Sequence, residues 1–127
     1  MSEVAKRNAR NRGAGKRWEK EIEDGGRASG IDTDRTRDTG TKDQGDLVMR
    51  PGGGKFVVIE AKNAKLEPGP FVEEALIEAA HFAELRGLDP ANVHPVVFVK
   101  RRGKGFLDSF ALTTTREYLR LVKGEAS

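Results

Sequence analysis

Glu60 and Lys62 stand two residues apart at the end of an apolar run, Phe56-Val57-Val58-Ile59, and Asp46 precedes a second run, Leu47-Val48-Met49. On a strand, side chains two apart leave the same face, so Glu60 and Lys62 project together while Ala61 points the other way. Folding alone gives an apolar strand no reason to end in Glu-Ala-Lys. A divalent cation does need hard oxygen ligands, and a water attacking a phosphodiester gains from a nearby cation. Asp46 and Glu60 are therefore the expected direct ligands of Mg²⁺, with Mn²⁺ as a substitute, and the Ala61 carbonyl as a further ligand. Lys62 is expected to orient or polarise the attacking water, or to stabilise charge in the transition state. The competing reading is a solvated ion pair at a strand end.

The two runs are joined by Pro51-Gly52-Gly53-Gly54, which reads as a hairpin. With that four-residue loop and no irregularity, Asp46 pairs with Ile59 and points away from Glu60. An offset of one residue, from a bulge or an odd loop length, brings Asp46 opposite Glu60, and the glycine run permits it. The offset is the expectation.

Around the hairpin, the spacing of Trp18 and Ile22 predicts a short amphipathic helix over residues 15–24, stopped by Gly25-Gly26. Alternation over residues 31–37 predicts a half-exposed strand, and residues 39–45 a polar loop. Pro70 opens a helix over residues 70–86, stopped by Gly87, with Val72, Ala75, Leu76, Ala79, Phe82, Ala83 and Leu85 as its apolar face and Glu73, Glu74, Glu78 and Glu84 largely between them. An apolar strand over 93–99, a short one over 110–112, and a last helix capped by Thr113 or Thr114 complete the order α-β-β-β-α-β, then β-α. The expected fold is α/β, a central mixed sheet flanked by helices.

The 127 residues suit one core, and the chain lacks cysteine, so disulfides and thiolate metal sites are excluded. No apolar run reaches membrane-spanning length and the start does not read as a signal peptide, which implies a cytoplasmic protein with no membrane partner. Residues 1–17 carry Lys6, Arg7, Arg10, Arg12, Lys16 and Arg17 against Glu3 alone, a local balance of +5 in a chain of net charge +3. Residues 1–14 are read as a basic flexible arm suited to a polyanion, or as a solubilising tail, and residues 15–127 as a single domain. Arg101, Arg102 and Lys104 alternate with Gly103 and Gly105 as a loop along a phosphate backbone would need, or as a charged turn protecting a sheet edge. His81 reads as a satisfied core or interface histidine, and His94 takes no role.

Together with Glu19, the set Asp46, Glu60 and Lys62 resembles the PD-(D/E)XK nuclease superfamily, whose restriction-endonuclease-like core matches the expected order. Gly15 followed by Arg17-Trp18-Glu19-Lys20-Glu21-Ile22 looks like the first helix of archaeal and phage Holliday-junction resolvases, in which the first Glu contributes to the metal site; Glu19 is the matching position. Residues 35–40 look like that family's second strand and loop, with Thr39-Gly40 where Ser-Gly is common. Gly45-Asp46-Leu47 and Ile59-Glu60-Ala61-Lys62 match its metal-binding hairpin, although Gly45 stands where proline often precedes the aspartate. The match covers residues 15–62.

What the resemblance implies is a Mg²⁺-dependent DNA endonuclease resolving Holliday junctions as a homodimer, with Glu19, Asp46, Glu60, Lys62 and Thr39 at the site. In the host cytoplasm of a phage, Lys6, Arg7, Arg10, Arg12, Lys16, Arg17, Arg35, Arg37, Lys42, Arg101, Arg102 and Lys104 would contact the DNA. The alternatives are a nuclease of the same superfamily acting on flaps, single strands or nicked duplex, and a module of that fold that binds nucleic acid without cutting. Phe71, Leu76, Phe82 and Leu121 are the residues expected to exceed what one small sheet covers, and so to supply a dimer surface.

Overall fold

The computed structural model describes residues 2–36 and 43–123, without the side chains of residues 7–12. Arg37, Thr39 and Lys42 lie outside the described residues, as do the side chains of Arg7, Arg10 and Arg12. Helix α1 (Glu3–Ala28) leads into β1 (Asp32–Arg35), β2 (Leu47–Gly52) and β3 (Lys55–Lys62); α2 (Pro68–Arg86) crosses over to β4 (Val93–Val99), and β5 (Phe110–Leu112) and α3 (Thr115–Lys123) follow. The five strands lie in chain order, with β3 and β4 parallel and the other neighbours antiparallel. A parallel pair requires a crossover, and α2 is that crossover.

Alternation on the strands divides the core in two. Val48, Phe56 and Val58 meet Ala79, Phe82 and Ala83 of α2 on one face. Leu47, Met49, Val57 and Ile59 meet Trp18 and Ile22 of α1 on the other. Residues such as Ile59 and Val58, fully buried on opposite faces, explain why these strands are nearly continuous in apolar character.

Three sequence expectations need correction. Helix α1 starts at Glu3 rather than near Gly15, with Ser2 accepting from the Ala5 amide as its cap. It also runs through Gly25 and Gly26, whose missing side chains make room: a Cβ would lie 2.3 Å from the Phe106 ring at Gly25 and 2.4 Å from Thr33 Oγ1 at Gly26. On α2, Leu76 and Leu85 face solvent, whereas Glu78 is buried beside Ala75, Ala79 and Phe82. Phe71 and Phe82 belong to the core as well and Leu121 is half-buried, leaving Leu76, Ile77, Leu85, Tyr118, Leu119 and Val122 as exposed apolar residues of α2 and α3 among the described residues.

Thr114 caps α3 by accepting from the Glu117 amide, and Glu117 pairs with Arg120 and lies 3.9 Å from buried His94. Burial, and then Arg120, hold the His94 pKa below its usual 6.5, against the opposing pull of Glu117; Lys55 adds to the lowering. A base depressed in the folded state is neutral in both states above pH 6.5, so its stability contribution is complete there and is lost as pH falls through 6.5 toward the folded value. The expected result is a stability that declines on acidification through this window and a His94→Gln variant in which the decline is smaller, measured by urea unfolding at a series of pH values.

Candidate active site

The hairpin carries the offset. Leu47 pairs with Ile59, Val48 with Val58 and Met49 with Val57, but Gly52 pairs with Lys55, so the register shifts between Met49 and Gly52. The connection is therefore the two-residue turn Gly53-Gly54, with φ of +66° and +75°, and Pro51-Gly52 belong to β2. Positive φ at both turn residues is the geometry that twists with a hairpin and that glycine supplies without strain. The bulge places Asp46 in register with Glu60, and Asp46 Oδ2 accepts the Ala61 amide at 2.8 Å.

Glu60 is 5% exposed, and its Oε2 has no hydrogen-bond partner. Lys62 Nζ is 4.0 Å from Glu60 Oε1 but 2.7 Å from Glu74 of α2, and it lies over the Phe71 ring. Lys62 is thus held in place by α2 as well as by its own strand. Glu19 reaches the same corner from α1: partial burial raises its pKa first, and the charge of Asp46 raises it further, against Arg35 and Lys16. Burial likewise pushes Asp46 up, opposed by the Ala61 amide and by Lys62 and reinforced by Asp43 and Glu74.

Two carboxylates join the site that the motif did not include. One oxygen each from Asp43, Glu60 and Glu78 lie within 4.8 Å of one another. Glu78 is pushed up to about 9 by burial, then by a hydrogen bond to Asp43 and the charges of Asp43 and Asp46. A helix period finds Glu78: positions 71, 75, 78, 79 and 82 all fall on the buried stripe. Asp43 has no such signal, because its position depends on the loop fold. There, its Oδ1 accepts the Gly45 amide at 2.9 Å, its carbonyl meets His81 Nδ1 at 3.0 Å, and the neighbouring Gln44 accepts from Arg86 of α2 at 3.2 Å.

Gly45 sets the entry to Asp46. Its φ is +88°, and a Cβ would lie 2.6 Å from Val58 Cγ1 and 3.3 Å from the Ile59 carbonyl. Proline, with φ fixed near about −65°, cannot adopt this backbone, so the departure from the resolvase pattern is a different local route to the aspartate. Gly45→Ala is expected to lose about 1–3 kcal/mol of stability through the positive φ and the overlap with Val58. Thermal and urea melts check it; a variant as stable as the parent would show that the loop readily relaxes.

All these groups lie at one end of the sheet. Lys62 pairs with Val99, and the Lys100 amide donates to the Lys62 carbonyl at 2.9 Å, so the Arg101 loop leaves the sheet where the carboxylates converge. Arg101, Arg102 and Lys104 are exposed there, with Arg101 also bonded to the Asp108 carbonyl. Lys6, Lys16 and Arg17 are exposed on α1, and Arg35 is 3.8 Å from Glu23.

A mixed five-stranded sheet with helices on both faces and a carboxylate cluster at its end defines an α/β fold of the restriction-endonuclease-like class. The chain is similar in structure to Archaeoglobus fulgidus Hjc, a Holliday junction resolvase from an archaeal hyperthermophile, with a TM-score of 0.51 over 83% of this chain and 93% of that one, at 18% sequence identity. No family model and no curated protein matches the sequence. Among the described residues, no helix is long and apolar enough to cross a membrane.

Proposed function

We propose that this chain is a PD-(D/E)XK endonuclease that hydrolyses phosphodiesters in four-way DNA junctions with a bound divalent cation. The observation that supports it most is the shifted hairpin, which sets Asp46 in register with Glu60 and leaves Glu60 Oε2 buried without a partner. Acidic oxygens so arranged fit Mg²⁺ or Mn²⁺, and Asp46, Glu60, the Ala61 carbonyl and Glu19 are the residues that would hold it. When bound, the ion supplies a polarised water and neutralises developing charge. Asp46 braces the strand through the Ala61 amide, Lys62 is presented by its contact with Glu74, and Glu19 adds a third carboxylate from α1. Thr39 is proposed to add a hydroxyl beside them.

DNA would be held by its backbone, through Lys6, Arg7, Arg10, Arg12, Lys16 and Arg17 of α1, Arg35, Arg37 and Lys42 before β2, and the Arg101 loop. The similarity to a resolvase supports a four-way junction as substrate, and two strands cut symmetrically call for a two-fold homodimer. Leu76 and Ile77 of α2, with Tyr118, Leu119 and Val122 of α3, are the exposed apolar residues such a dimer would cover. A cytoplasmic setting accords with this substrate.

Labelled four-way junction, linear duplex, flap and single strand, each with Mg²⁺ and with EDTA, test the proposal. Paired nicks placed symmetrically across the branch point, only with Mg²⁺, are expected. Equal cutting of linear duplex would transfer the same site to a general nuclease, and no cutting of any substrate would leave a binding module.

A further inference from the structure

Leu107 is 84% exposed, the most exposed large apolar side chain among the described residues. A single exposed leucine is ordinary on a protein surface. The mounting of this one sets it apart. Its neighbour Phe106 packs on the α1 side of the sheet, 5.7 Å from Phe98 and 6.5 Å from Trp18 between ring centroids, in space that Gly25 leaves open. Residues Phe106–Asp108 form one 3-10 turn, closed by the Asp108 amide donating to the Gly105 carbonyl at 3.1 Å and by the Ser109 hydroxyl donating to the Phe106 carbonyl at 2.7 Å. Arg101 Nη1 donates to the Asp108 carbonyl at 3.1 Å, and Lys100 Nζ to that of Lys104 at 2.9 Å. Leu107 is thus held out to solvent by a braced segment, and the fold makes little use of its apolar side chain.

The same segment ends in a second exposed apolar group. Phe110 is 40% exposed, and the Arg101 guanidinium lies over its ring, 4.9 Å from the centroid, as a planar cation stacked on an aromatic face. Residues 100–110 hold Lys100, Arg101, Arg102 and Lys104 against Asp108 alone. Lys100 is paired with Glu21, whereas Arg101, Arg102 and Lys104 have no carboxylate partner among the described residues. An apolar protein surface laid on this segment would leave those cations without counter-charge. Nucleic acid with a base out of its stack offers phosphates to the cations and a base face to the leucine and to the arginine–phenylalanine pair. Within a continuous duplex the base faces are covered by their neighbours, and a branch point interrupts that stack. The segment leaves the sheet beside Lys62, at the end where the carboxylates converge.

We propose that residues 101–110 contact a nucleobase displaced from the duplex stack, with Leu107 and the Arg101–Phe110 pair against the base and Arg102 and Lys104 on the flanking phosphates. An apolar side chain wedged at an interrupted stack favours branched over linear DNA, because less stacking has to be broken there. The contact rests on DNA binding as proposed above, and not on cleavage.

The test uses a four-way junction carrying 2-aminopurine at the branch point, a base whose fluorescence rises when it leaves the stack. It is titrated in EDTA with the parent, Leu107→Ser and Phe110→Ala, beside a linear duplex carrying the same base. The parent is expected to raise the junction signal and not the duplex signal. Each variant is expected to lose that rise and to bind the junction about tenfold more weakly, with the salt dependence of binding unchanged because no cation is removed. Both side chains are exposed, and circular dichroism checks that each variant folds as the parent does. A rise as large as the parent's in either variant would overturn the proposal. So would a parent that binds the junction without any rise, which would leave the two side chains to a protein partner. Binding of neither DNA would overturn it together with the nuclease reading. A parent that unstacks the base yet cuts nothing once Mg²⁺ is added would overturn the nuclease reading alone and leave this contact standing.

Discussion

Asp46→Asn and Glu60→Gln are each expected to lower junction cleavage on the order of 10³-fold, with junction affinity within a few-fold of the parent. The amide keeps the size of the side chain and an oxygen, so the asparagine of the first variant can still accept the Ala61 amide that Asp46 Oδ2 accepts at 2.8 Å. What it removes is the charge that holds a cation. In the proposed reading, binding rests on phosphate contacts made by other residues and is expected to follow salt, not these carboxylates. Nor is the loss expected to come from unfolding. Asp46 is raised by burial, and Glu60 is 5% exposed with an unpartnered oxygen, so neutralising either one in EDTA leaves stability unchanged or higher. Single-turnover cleavage beside equilibrium binding and thermal melts separates the cases. Near-parental cleavage in either variant would remove that residue from the site.

The element order was legible because it depends on local signals. Periods of two and of about 3.6 residues, proline at a helix start and glycine at its end are properties of short windows. The hairpin offset was legible for a similar reason, since a metal site and an unshifted register are incompatible and the glycines were there to relieve it. What could not be read locally was compensation between distant elements. Gly25 and Gly26 look like a stop signal, yet α1 passes through them because Phe106 and Thr33 fill the space where side chains would stand. Glu78 looks like one more solvated glutamate among Glu73, Glu74 and Glu84, and only its phase on the helix sets it apart. Asp43 needed residues 43 and 44 to be held against His81 and Arg86 of α2 before its carboxylate had an address. The proposed metal-site motif was thus visible as a pattern of residue types, whereas the residues that surround it were visible only as a fold.

Trp18→Ala is expected to cost about 3–5 kcal/mol, the range for removing a large buried aromatic side chain. Trp18 is 1% exposed at the centre of the cluster with Ile22, Leu47, Met49 and Ile59. Its indole N–H donates to the Phe98 carbonyl at 3.0 Å, Phe106 packs at 6.5 Å between ring centroids, and Lys100 Nζ lies 5.0 Å from the ring centre. One side chain therefore docks α1 on β4 and on the segment after it. Against a typical total of about 5–15 kcal/mol, its loss leaves little margin. Trp18→Phe keeps most of the apolar volume and loses the donor, so a smaller cost of about 1–2 kcal/mol is expected. Because Glu19 is the next residue, the two variants also separate docking from chemistry: Trp18→Phe should keep cleavage within a few-fold, and Trp18→Ala should lose it in proportion to the population that unfolds. Urea melts of both, with cleavage measured below the transition, give the comparison. A Trp18→Ala protein that melts like the parent would show that α1 is held by something other than this indole, and would detach Glu19 from the account of how the site is built.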